Sequence, residues 1–244
     1  MMSSAATPVS SHAKGLSAIA FAIAFNIPFS LLAGRYSYPD ILRRPAAEAL
    51  DRFAAEGNAL VLIWYAFALA ALAFVPLAIA LSVTPQRLRT SPALAIGATL
   101  TGALAGVVQA IGLMRWVFVV PGLAHDHSAA GASEAARSLA ENSFNLINAY
   151  GGVAIGEHMG QLLTALFVLL LALIQWSEGR RIAAVLGFLT APALVIGTGE
   201  GLAMALGQSG GAFATVAIAG FMGLTLWLIA TGVSLMRRPD TAGV

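Results

Sequence analysis

The chain has 244 residues, 59% of them hydrophobic and only 10% charged, with a mean hydropathy of +0.84 and a formal net charge of +2. Soluble domains carry about 25% charged residues, so the composition excludes one and points to an all-α integral membrane protein. Cysteine is absent, which excludes disulfides and thiolate-held cofactors. A single lysine, Lys14, lies in the amino-terminal tail, so no retinal Schiff base forms at membrane depth. The basic residues are scattered as membrane flanks and do not form a nucleic-acid surface. Alternating polar and apolar residues, the signature of a transmembrane barrel, are missing.

Roughly 20 apolar residues cross a bilayer as a helix. On that measure residues 1–14 form a tail, and six spans fall at roughly 15–34, 58–82, 93–120, 152–176, 182–206 and 211–235, a single membrane domain. The first apolar run, Leu16 to Ala33, is longer than a signal-peptide core and reads as an uncleaved helix. After it, residues 41–56 put Leu42, Ala46, Leu50 and Phe53 on one stripe, with Arg44, Glu48, Arg52 and Glu56 at i,i+4 spacing on the other face. That pattern predicts an amphipathic helix in the membrane interface. Residues 133–150 predict a second: Ser133 caps it, Arg137 pairs with Glu141, and Phe144, Ile147 and Tyr150 take the apolar side. Gly151-Gly152 then offers a bend into the fourth span.

Arginine and lysine in short loops set orientation. One side collects Lys14, Arg87, Arg89, Arg180, Arg181, Arg237 and Arg238 against only Glu178 and Asp240, which predicts both termini in the cytoplasm. No internal repeat stands out, so the inverted-repeat pattern of many transporters is missing.

Four ionisable residues lie inside apolar spans: Arg115, Glu157, His158 and Glu200. Charge at membrane depth is costly and marks a functional site by default. Counted along helices of alternating direction, all four fall roughly 7–10 Å below the outer hydrocarbon boundary, which predicts one shared site. Glu157, His158 and Glu200 are its catalytic candidates, with a carboxylate as proton-transfer group. Arg115 would hold an anionic or carbonyl group. Gln161, one turn from Glu157, and Trp116 and Tyr65 at the same level complete a substrate-binding set. An interfacial aromatic belt is the first reading of Trp116, Trp64 and Tyr65, and a ligand-stacking wall the second. Asn26 and Gln109 read as interhelical hydrogen bonds.

His125-Asp126-His127 follows the third span, and His125, His127 and His158 would supply nitrogen ligands to a divalent metal. A solvated loop is the competing reading of the first two. No His-Glu-x-x-His motif is present.

Several segments resemble a family of uncharacterised bacterial six-helix membrane proteins. They are Tyr38-Pro39-Asp40-Ile41-Leu42, Arg115-Trp116 with Val119-Val120-Pro121, and Asn148-Ala149-Tyr150-Gly151 running into Gly156-Glu157-His158-Met159-Gly160. The resemblance implies six helices in a bacterial inner membrane and names no activity. Three functions stay open at this point. The protein binds or transforms a small, lipophilic molecule near the outer leaflet, or couples transport to protons or cations, or serves as an accessory subunit of a larger complex whose buried charges only specify packing.

Overall fold

A computed structural model describes residues 10–237. The first nine residues of the expected tail, with Arg238 and Asp240, lie outside them. Six helical stretches are long and apolar enough to cross a membrane, and no strand occurs among the described residues. The protein is a multi-pass membrane protein.

The spans are α1 (Ser11–Tyr36), α3 (Asn58–Ser82), α5 (Pro92–Phe118), α8 (Gly160–Ser177), α9 (Arg181–Gly197) and α11 (Gly211–Arg237). The helix α1 begins four residues before the expected start of the first span, where Ser10 accepts from the Ala13 N–H as its N-cap. Each span packs on the next, and α11 returns to α1, closing a six-helix ring. Both ends of the described chain therefore lie on one face, here the terminal face; the opposite is the cap face.

Three short helices build the cap: α2 (Ala46–Glu56), α6 (Val120–Ser128) and α7 (Glu134–Ile147). The first and last are the expected interfacial helices. The intervening one, with Pro121 in its first turn, occupies a stretch expected as loop. Its His127 is buried, with Nδ1 2.9 Å from Asp51 on α2 and Nε2 3.0 Å from Glu141 on α7. Glu141 thus serves His127 and not Arg137. Of the pairs expected along α2, Glu48–Arg52 forms at 4.0 Å while Glu56 turns to Arg35 at 3.8 Å.

In place of the expected bend at Gly151-Gly152, a π-helical segment, Asn148–Met159, joins α7 to α8 in one continuous helix from Glu134 to Ser177. Its wide turns survive because glycine backbones fill the space that side chains would need. Gly112 on α5 and Gly156 cross so closely that a Cβ on Gly112 would stand 2.6 Å from the Gly156 Cα. Extended π-helix is rare and recurs at functional sites. The fifth span also changes character near its cap end, where α9 gives way at Thr198 to the short α10 (Gly199–Ala205).

Two apolar cores divide the ring. The terminal-half core gathers Phe74, Phe167 and Trp227 with the surrounding leucines and alanines. The cap-half core joins Tyr36, Phe53, Trp64, Trp116 and Phe144. Single polar groups tie spans together: Asn26 donates to Thr225 at 3.1 Å, Gln109 to Thr164 at 3.0 Å and Gln175 to Thr231 at 2.9 Å.

At the terminal face Arg87, buried on α4 (Pro85–Thr90), grips Glu178 with two hydrogen bonds, Nε–Oε1 at 2.6 Å and Nη2–Oε2 at 2.8 Å, and donates to the Leu81 carbonyl. Arg180 donates to Glu178 at 3.1 Å and to the Ser234 carbonyl on α11 at 2.9 Å. Two of the basic residues that signal orientation therefore clamp helix ends. Burial alone would push the Glu178 carboxyl up, but hydrogen bonds and charge from Arg87, with Arg180 behind it, outweigh burial and hold it below the usual carboxylate range. A depressed folded value contributes stability at neutral pH that fades as acid protonates the group. Glu178→Gln is expected to lower unfolding free energy by roughly 1–3 kcal/mol at pH 7. Denaturation of both proteins across pH should show that gap narrowing below about pH 4.

Candidate functional site

The cap-half core and the terminal-half core enclose between them a cavity of about 290 Å³ that reaches α1, α3, α5, α8, α10, α11 and the π segment. Its polar end is built first by Arg115, one turn from the end of α5. The guanidinium is buried and lies across the backbone of Gly152, where a Cβ would stand 2.5 Å from Cζ. It donates to the Gly112 carbonyl and, at 2.9 Å, to Asn148 Oδ1. Its Nε is buried without a hydrogen-bond partner among the described residues. No carboxylate stands within ion-pair distance of it there, so neutral oxygens hold this cation.

Trp116 follows directly, its ring centroid 5.1 Å from the Arg115 Cζ. It stacks on Trp64 at 4.7 Å with the planes 7° apart. Both indoles are fully buried, so they form an interior wall and not an interfacial belt. Both Nε1 atoms lack a hydrogen-bond partner among the described residues. Across from them, Gln161 on α8 is buried with Oε1 unpartnered, and Glu157 turns a half-buried carboxylate into the cavity with no hydrogen bond or ion pair among the described residues. Buried polar atoms in native proteins are nearly all satisfied. Here four residues that line one space each carry a buried polar atom without a partner among the described residues, three of them N–H donors and one an amide oxygen.

Tyr38, in the turn after α1, edges its ring onto Trp64 and lines the same end. Burial raises its phenol above the ordinary value, the Glu157 charge adds to this and the Arg115 charge opposes it. It stays a neutral O–H at physiological pH. Above it, Glu200 on α10 accepts from Arg43 Nε at 2.8 Å and Nη2 at 2.5 Å. Arg43 also reaches Asp40 at 3.4 Å.

Arg115, Trp116, Glu157, Gln161 and Glu200 therefore meet at one cavity. His158 does not line it. Neighbouring helical positions point about 100° apart, and the imidazole Nδ1 sits 3.1 Å from the Thr198 carbonyl where α9 meets α10. Tyr65 turns outward, 40% exposed, for the same reason: the wall takes Trp64. His125, His127 and His158 do not assemble, and no group of three or more His, Asp or Glu among the described residues is placed to hold a metal ion. His127 is used up between two carboxylates. Sequence reasoning missed Tyr38, Asn148 and Arg43 as site residues and gave Trp64 a ligand-facing wall only as its second reading. The signal available for Tyr38 and Asn148 was their place in segments shared with the resembled family.

The contact of Arg115 with Gly152 is open to a direct test. Gly152→Ala is expected to cost about 1–3 kcal/mol of stability, because the new methyl displaces the guanidinium. In an Arg115→Ala background the same change should cost far less, so the two are non-additive when unfolding is followed for all four proteins.

With this geometry established, comparison with known proteins gives a family and no activity. No curated protein and no solved structure matches the chain. Residues 13–232 match the family described as Domain of unknown function (DUF4386). The match spans nearly the whole chain, and the protein belongs to this family.

Proposed function

We propose that the protein binds a small molecule within the membrane and holds its polar end among Arg115, Trp64, Trp116, Gln161 and Glu157, with Glu157 as the group that exchanges a proton with it. The observation that carries this is that four residues lining one cavity each hold a buried polar atom without a partner among the described residues. Leaving such groups unsatisfied costs about 1–3 kcal/mol each, a cost that a ligand offering acceptors to the N–H groups and a donor to Gln161 and Glu157 removes. A carboxylate free of ion pairs in a largely apolar cavity is the kind of group suited to acid–base work. Arg115, fixed by Gly112 and Asn148, is preorganised to hold a carbonyl or hydroxyl oxygen without rearranging.

A conduit is the weaker reading. Polar groups would have to continue to the terminal face, and the cavity ends instead at Phe74 and Leu228, with Phe167 and Trp227 packed behind and Trp227 donating to Gln175 at 3.2 Å. The family resemblance supports a bacterial inner-membrane setting, and charge on the short loops supports termini in the cytoplasm and the cap outside.

Native mass spectrometry of protein released from its membrane tests the binding claim. The wild type is expected to carry a non-covalent mass smaller than a two-chain lipid. Gln161→Leu should lower its occupancy about tenfold, the effect of losing one buried hydrogen bond, while Tyr65→Phe leaves occupancy unchanged. Bare protein in every preparation, or equal occupancy in Gln161→Leu, refutes the reading.

A further inference from the structure

The cavity also has a side, and its position narrows the class of molecule. Along its terminal half the α1–α11 seam is shut. A Cβ on Gly15 would stand 2.6 Å from the Gly232 carbonyl oxygen, and further along Asn26 bonds Thr225. Beyond that bond, towards the cap, Met204, Ile218 and Met222 line the cavity and are at the same time 45%, 45% and 64% exposed on the outer surface. A side chain does both where the wall is no more than one side chain deep, so this stretch is where the cavity comes through to the surroundings. Phe25 and Phe29 of α1 line the cavity along the same half of the molecule. The Arg43–Glu200 pair links the chain after α1 to α10, just ahead of α11. The opening therefore faces acyl chains within one leaflet.

Charge defines the head of the ligand. The polar end presents one cation, Arg115, and one carboxylate free of ion pairs, Glu157, while Arg43 and Glu200 cancel each other. An anionic head would meet Glu157 and a cationic head Arg115, each in a place where an unbalanced charge costs several kcal/mol. A head that both accepts from N–H groups and donates to oxygen satisfies the two sides together. Away from the head, Phe21, Phe74, Leu224 and Leu228 form an apolar end. A volume of about 290 Å³ lies at the small end for ligand pockets, enough for one chain and too little for a two-chain phospholipid.

We infer that the ligand is an uncharged single-chain amphiphile with a hydroxyl or amide head, admitted sideways from the bilayer through the cap half of the α1–α11 seam. This rests on the binding reading above. The test uses protein in dioleoylphosphatidylcholine nanodiscs carrying Trp176→Phe, which removes the exposed indole and leaves buried Trp64, Trp116 and Trp227. Three probes are titrated: an ω-brominated undecanol, the matching carboxylate and the matching trimethylammonium. Bromine quenches nearby indoles. The alcohol is expected to quench saturably, with a half-point at least about tenfold below either charged probe, equivalent to about 1.4 kcal/mol of discrimination. Ile218→Phe with Met222→Phe should slow both the onset and the washout of quenching about tenfold. Should the double variant fold poorly, Met222→Phe alone, on the exposed surface, reads the same effect.

A charged probe that saturates at an equal or lower concentration overturns the uncharged head and leaves binding intact. Unchanged rates in the mouth variants overturn the sideways route. Absence of saturable quenching by all three probes removes the binding reading along with this inference.

Discussion

A guanidinium held by neutral oxygens is the constraint on which the rest of the site depends. Arg115 keeps its charge at membrane depth because Gly112 and Asn148 accept from it and because Gly152 leaves its flank open. Each of these partners makes a demand on the backbone. Asn148 and Gly152 belong to the π segment, and Gly112 crosses that segment against Gly156. The wide helical turn, the glycine crossing and the buried cation form one arrangement, and none is explained without the others. Since neutral oxygens hold the cation without a carboxylate, Glu157 is left facing the cavity with its oxygens uncommitted.

The two halves of the ring do different work. In the terminal half the helices meet through small residues and aromatic edges, and Arg87, Glu178 and Arg180 tie the ends together. Without a hydrophobic drive between helices in lipid, such close packing and hydrogen bonding supplies the association. In the cap half larger rings fill the core beside close crossings such as Gly112 on Gly156, and three surface helices brace this half around His127. The cavity lies where these two regimes meet.

Much of this was legible in the chain. Spans and two of the three cap helices follow from apolar run length and from periods such as that of Ala46, Leu50 and Phe53, which are local properties. Arg115, Glu157 and Glu200 stood out because an ionisable side chain in an apolar run is rare enough to carry information alone. Direction was not legible. Trp64 and Tyr65 are adjacent and equally plausible at a membrane boundary, and only the placement of neighbouring helices decides that the indole faces inward. The same ambiguity separates Glu157 from His158. The π segment could not be read either, because Gly151-Gly152 signals a break as readily as a widened turn. His127 looked solvated because its two carboxylate partners come from two other helices, one of them 76 residues away in sequence.

Continuity of the helix from Glu134 to Ser177 has a mechanical consequence. Glu157 and His158 are successive residues on one stiff rod; the first touches the cavity and the second grips the Thr198 carbonyl at the root of α10. Glu200, which fastens Arg43 over the seam, hangs from that root two residues further on. Any twist of the rod that reorients the carboxylate must drag the imidazole through the same angle and so tug on the anchorage of the clasp. If the cavity holds a ligand as proposed, its occupancy and the hold of Glu200 on Arg43 share that single pivot.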